Sequence, residues 1–128
     1  MLTESQIESI REYARSRPEI VAVYLFGSEA EGRSRPESDV DLAVMTHRPL
    51  SGQDRLDMEV HLSLRIGRNV DLVAFETADP VLKHEILKPK KLLYEADRAE
   101  RIRKETAGRH EYLDTRWLHR ETRRLAGG

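Results

Sequence analysis

The 128-residue chain has no cysteine. Disulfides, thiolate metal sites and cysteine nucleophiles are therefore excluded, and a reducing compartment suits the composition. Hydrophobic residues make up 38%, lower than in most globular chains, against 35% charged residues. A core is possible, but the surface must be heavily charged. No apolar run approaches the ~20 residues that span a bilayer. The first twenty residues are charged early and lack the apolar stretch of a signal peptide. Neither sign of charge prevails. The net charge is −1, which removes any general attraction to nucleic acid or to a membrane. There is no internal repeat and no Walker-type Gly-Lys-Ser/Thr, so this is not a P-loop. His47, His61, His84, His110 and His119 show no metal-ligand spacing. The expectation is a soluble, cytoplasmic protein of single-domain size.

Strands and helices alternate. Thr3-Glu4-Ser5-Gln6 is a capping box, with Leu2 and Ile7 placed as a hydrophobic staple. Ile7, Ile10 and Ala14 then share one face of a helix that runs to about Arg15, before Pro18. Ile20 to Phe26 is apolar and rich in β-branched residues, which predicts a strand buried on both faces. A polar, turn-prone stretch from Gly27 precedes a second strand over residues 38–45. Residues 53–66 predict a helix with Leu56, Val60 and Leu64 near one face, stopped by Gly67. A third strand follows over residues 69–75. Asp79-Pro80 opens a short helix, and Lys91-Leu92-Leu93-Tyr94 suits an edge strand. From Asp97 the pattern is helical, with an interruption at Gly108. The mixture predicts a small α/β (α+β) domain: a mixed sheet with flanking helices and a C-terminal helix.

Three aspartates interrupt these otherwise apolar strands. In a strand, Asp39 and Asp41 share one face while Val40 and Leu42 take the other. Their origins then stand roughly 6–7 Å apart. Carboxylates so placed repel each other unless cations sit between them. Magnesium prefers oxygen ligands, and a metal pair ~3.5–4 Å apart suits phosphoryl chemistry. Upstream, Gly27 ends a buried strand where a ligand can approach the backbone. A short helix starting there would turn free N–H groups toward phosphate, with the Ser28 hydroxyl adding a hydrogen bond. Asp71 is a lone carboxylate in the third strand, where Asp is poorly suited. Facing the same cleft, it would deprotonate an acceptor hydroxyl or complete a metal shell. Separately, Gly-Ser is a turn signal, Asp-x-Asp is common on solvated strands, and Asp71 suits an exposed strand position. Their conjunction points to a catalytic site.

Leu25-Phe26-Gly27-Ser28 and Ser38-Asp39-Val40-Asp41-Leu42, with ten residues between Ser28 and Asp39, resemble the signature of the DNA polymerase β-like nucleotidyltransferases. Val70-Asp71-Leu72-Val73 fits the third aspartate of that family. The short length resembles its minimal branch, the MNT antitoxins of HEPN/MNT toxin–antitoxin pairs. The resemblance implies that Asp39, Asp41 and Asp71 are catalytic and bind magnesium (Mg2+). It also implies that Gly27, Ser28 and Arg33 hold the nucleotide, ATP. The acceptor it implies is a tyrosine of a partner HEPN toxin, silenced by adenylylation. This chain departs from relatives that carry an arginine before the second glycine of the turn, here Ser28-Glu29-Ala30-Glu31-Gly32-Arg33. A carboxylate ~4 Å from a phosphate charge costs about 1 kcal/mol in water and more in a dry site. Glu29 and Glu31 are expected to point outward, with Arg33 or Arg35 taking the phosphate role; otherwise nucleotide affinity is weak.

Organisation follows from size and charge. Residues 1–96 are expected to form the nucleotidyltransferase core, and residues 97–128 a charged helical tail. The tail holds nine Lys/Arg and six Asp/Glu. Trp117, Tyr112, Leu113, Leu118 and Leu125 there suit either packing on the chain's own core or docking a partner. With no second domain to bind a small acceptor, the acceptor is expected on another chain. The remaining alternatives are an antitoxin acting by complex formation alone and an aminoglycoside-type small-molecule transferase.

Overall fold

A computed structural model describes residues 1–33 and 38–127, with side chains described as far as Asp114. Seven consecutive apolar residues, Ile20–Phe26, form β1, and every one is buried. A strand buried on both faces needs neighbours on both edges and helices above and below. β2 (Val40–Thr46) lies antiparallel along one edge of β1, and β4 (Lys91–Glu95) lies antiparallel along the other. β3 (Val70–Ala74) runs parallel to β2. The sheet order is therefore β3-β2-β1-β4, with β4 at an edge as its sequence suggests. The parallel β2–β3 pair requires a crossover, which α3 (Gly52–Ile66) supplies.

Two cores lie on opposite faces of the sheet. Val23 and Leu25 of β1, with Leu42 and Val44 of β2, face Ile10, Tyr13 and Ala14 of α1 (Glu4–Arg15) and Met58, Leu62 and Ile66 of α3. On the other face Tyr24, Phe26, Ala43 and Met45 meet Phe75 and, from α4 (Pro80–Leu87), Ile86 and Leu87. The predicted capping box is formed: Gln6 N donates to Thr3 Oγ1 at 3.1 Å and Thr3 N to Gln6 Oε1 at 2.9 Å. Leu2 is buried, with Ile7 packed against the same core. Gly67 closes α3 in the left-handed region at φ 69°, and Asp79 caps α4.

Four details differ from the sequence reading. The second strand begins at Val40, so Asp39 precedes it. β3 ends at Ala74, and Phe75 starts a 3-10 turn that carries its ring into the core. On α3 the predicted face is the wrong one: Leu56, Val60 and Leu64 are 44%, 50% and 77% exposed. The rotation of α3 is set by polar groups instead. Arg55 Nη1 donates to Leu72 O at 2.9 Å, Glu59 accepts from Leu72 N at 2.9 Å, and Ser63 Oγ accepts from Val70 N at 3.0 Å. These bonds satisfy the outer edge of β3, whose backbone groups have no further strand to pair with. They leave Met58, Leu62 and Ile66 turned inward.

The fourth difference is α5 (Arg98–Gly127), which runs through Gly108 without interruption. Gly108 is a packing residue. A Cβ there would stand 3.3 Å from the Phe75 ring and 3.5 Å from Lys83 Cδ, so its absence lets α5 sit close to α4. His84 and Tyr112 stack with ring centroids 3.9 Å apart, Lys83 pairs with Glu111 at 3.2 Å, and Lys104 pairs with Glu76 at 2.7 Å. Tyr112 thus packs on the chain's own α4 through His84, while Leu113 is 57% exposed. The side chains of Trp117, Leu118 and Leu125 lie outside the described residues. No described helix is long and apolar enough to cross a membrane. Gly108→Leu is expected to destabilise the fold by about 1–3 kcal/mol through overpacking, read as a lower urea midpoint at unchanged slope.

Candidate active site

The two sheet pairings of β2 assemble the site. Asp41 lies opposite Phe26 of β1 and beside Asp71 of β3. Strand alternation puts Asp41 on the side of Ala43 and Met45, and Asp71 on the side of Val73, so both project on the α4 face. Asp39 stands two residues before Asp41 at the same end of the sheet. Gly27, the next residue after Phe26, is therefore carried against Asp41. It adopts φ +71°, and a Cβ built on it would overlap Asp41 Oδ2 and stand 3.1 Å from Asp41 Cγ. Only glycine leaves room for that carboxylate while taking a left-handed turn. Gly27 also opens the four-residue helix α2 (Gly27–Ala30), in which Ser28 is half-buried.

Electrostatics tie the three carboxylates together. Asp41 is half-buried, while Asp39 and Asp71 are exposed. The Asp41 carboxyl is pushed above the usual carboxylate range, first by burial, then by the negative charge of Asp71 and that of Asp39. This is the pattern of like charges sharing a site. Among the described residues, no group of three His, Asp or Glu side chains is already gathered as a metal shell. Hard oxygen donors under this repulsion suit magnesium, which takes carboxylate oxygens and keeps several waters.

The acidic residues of the turn do not face this cluster. Glu31 is exposed and paired with Arg33, a residue held beside α2 by its backbone bond to Ser28 O at 2.9 Å. Glu29 does not point outward as expected. It is buried, and its carboxylate meets Arg68 at 3.0 Å. The electrostatic objection to phosphate binding falls away, because that charge is already paired. The Arg33 guanidinium is engaged at the surface by Glu31, and Arg35 lies outside the described residues. Arg68 escaped the sequence reading, because nothing local marks it as a partner for a residue 39 positions earlier.

The chain belongs to the polymerase beta nucleotidyltransferase family, whose model matches residues 8–99. It is 31% identical over 77 residues to the protein adenylyltransferase MntA of Shewanella oneidensis. That alignment spans 60% of this chain and 55% of the relative. The fold is similar to that of a toxin–antitoxin crystal structure with AMP-PNP, at a TM-score of 0.70 and 23% identity, covering 98% of this chain and 94% of the other. It is also similar to a chain from the tri-AMPylated Shewanella oneidensis HEPN toxin in complex with MNT antitoxin. There the TM-score is 0.66 at 21% identity, covering 94% and 91% of the two chains.

Two outcomes follow. Gly27→Ala is expected to cost more than about 1 kcal/mol, because a Cβ is strained at positive φ and here also displaces Asp41. Chemical denaturation measures the loss. Asp41→Asn is expected to raise the melting temperature at pH 7. A carboxyl whose folded pKa is raised binds its proton more tightly in the folded state. Ionising it therefore lowers stability as pH rises above the ordinary Asp value, and removing the charge recovers that loss. The gain should shrink as pH falls below about 4.

Proposed function

We propose that this chain is an antitoxin-type protein adenylyltransferase that moves AMP from ATP to a tyrosine hydroxyl of a HEPN-type toxin, neutralising it. The observation that carries the reading is Asp41, in register beside Asp71 and against the Cβ-free surface of Gly27, with Asp39 two residues upstream. Membership of the family supports nucleotidyl transfer as the class of reaction. The names of the similar proteins, an adenylyltransferase and a toxin–antitoxin complex with AMP-PNP, support AMP as the group moved and a toxin as the acceptor.

In this reading Asp39, Asp41 and Asp71 hold magnesium. When bound, magnesium neutralises charge on the entering and leaving oxygens of the transfer. The chain's own groups do the rest. Gly27 and Ser28 present backbone N–H groups and a hydroxyl to the triphosphate, with Arg33 as the described cation of the turn. The acceptor oxygen attacks the α-phosphorus in line. A bond from that oxygen to phosphorus forms, the bond to the bridging oxygen breaks, and pyrophosphate leaves. Asp71, exposed near the start of β3, receives the hydroxyl proton or completes the metal shell. Residues 1–96 supply this machinery, with residues 97–128 as the charged tail.

Intact-mass spectrometry tests the reading. The partner protein, incubated with this chain, ATP and magnesium, is expected to gain the mass of one or more AMP groups. Asp39→Ala should abolish the gain. An unchanged mass alongside a stable complex would mean neutralisation by binding alone.

A further inference from the structure

The site's three parts come from separate segments: the Gly27–Ser28 turn, the Asp39 loop and the start of β3. Sheet pairing fixes Asp41 and Asp71, but it does not fix Asp39, which lies before β2 begins. A carboxylate on an irregular segment must be held by other means if it is to meet a ligand in one geometry.

One turn does this. Gly67, in the left-handed conformation, ends α3 and sends the chain directly into Arg68, Asn69 and β3. The Asn69 carbonyl accepts a hydrogen bond from Val40 N at 2.8 Å. The Arg68 guanidinium donates through Nη2 to Ser38 O at 2.9 Å. Asp39 is therefore bracketed on both sides of its own backbone by bonds from consecutive residues of one turn. The same guanidinium also grips α2. Its Nη1 stands 3.0 Å and its Nη2 3.4 Å from the two oxygens of Glu29. The Met1 amine lies 3.2 Å from that carboxylate as well. The Glu29 side chain is fully buried and that of Arg68 is 14% exposed. Bidentate, desolvated arginine–carboxylate contacts hold orientation as well as charge.

We propose that Arg68 is a positioning residue, joined with Glu29 into a clamp that sets the Asp39 loop against the nucleotide turn so that both meet one metal–nucleotide complex. The inference rests on the nucleotidyl-transfer reading. It gives the acidic residue of the turn a function: Glu29 binds the clamp. Arg68 acts through Ser38 and Glu29, and it touches neither substrate nor metal.

The test uses the full chain and a double variant, Glu29→Gln with Arg68→Met. Replacing both members of a buried ion pair by neutral side chains of similar size commonly preserves the fold, whereas Ser38 O loses its donor. Mn2+ binding is measured by titration calorimetry in the presence of AMP-PNP, with near-UV circular dichroism as the check on folding. The folded double variant is expected to bind Mn2+ at least about tenfold more weakly, as lost support behind a metal ligand commonly does. Glu29→Gln alone, which keeps Arg68 on Ser38, should lose less. If the double variant does not fold, Arg68→Lys carries the test. An ammonium cannot span Ser38 O and both Glu29 oxygens, so its Mn2+ affinity should also drop. Wild-type affinity in a folded Arg68 variant would overturn the clamp and leave the transferase reading standing. A wild-type chain that binds neither Mn2+ nor AMP-PNP would overturn both.

Discussion

The antiparallel pairing of β1 with β2 is the constraint on which the rest of the site depends. It sets Phe26 opposite Asp41, so the residue after Phe26 must fit against a carboxylate. Gly27 fits because it has no Cβ and accepts φ +71°. The same pairing commits alternate residues of β1 to two cores, and burial on both faces makes slippage costly. A shift of one residue would move Tyr24 and Phe26 onto the α1/α3 face and Val23 and Leu25 onto the α4 face. Register, core and active-site geometry are thus one decision.

Charge is handled in two ways at this end of the molecule. The Asp41 carboxyl is pushed above the usual carboxylate range, first by burial and then by the charges of Asp71 and Asp39, a cost in stability consistent with a site shaped for cations. The neighbouring acidic residues are neutralised locally. Glu31 pairs with Arg33 at the surface, and Glu29 pairs with Arg68 in the interior. Among the described residues, Asp39, Asp41 and Asp71 form no ion pair, whereas Glu29 and Glu31 each meet an arginine. Polar groups also fix the surrounding frame. Arg55, Glu59 and Ser63 satisfy the β3 edge and so set the rotation of α3.

Much of the fold was legible because its signals are local. The apolar run Ile20–Phe26, the Thr3 capping box, Asp79-Pro80 and Gly67 each carry their own steric or hydrogen-bonding requirement, and each stands where the sequence implied. The errors arose where a local pattern had two solutions. On α3, Leu56, Val60 and Leu64 recur with the same four-residue spacing as Met58, Leu62 and Ile66. Periodicity alone cannot say which stripe faces inward. At Gly108 a helix-weakening residue is tolerated because its missing side chain brings two helices together, a gain that helix propensity does not register.

The candidate site divides along the same line. By itself the sequence determined that Asp41 and Asp71 interrupt apolar strands, with Asp39 two residues before Asp41, and that a Gly-Ser turn precedes them, since residue type, strand alternation and spacing are properties of the chain. It also carries the pattern that the family model matches over residues 8–99. Only the tertiary structure decided that Asp41 and Asp71 stand in register on adjacent strands, that Gly27 is the wall against Asp41, and that Glu29 turns inward to Arg68. Those relations join residues 14, 30 and 39 positions apart. The contacts are set by strand register and by the balance of burial against ion pairing, which no local stretch of the chain contains.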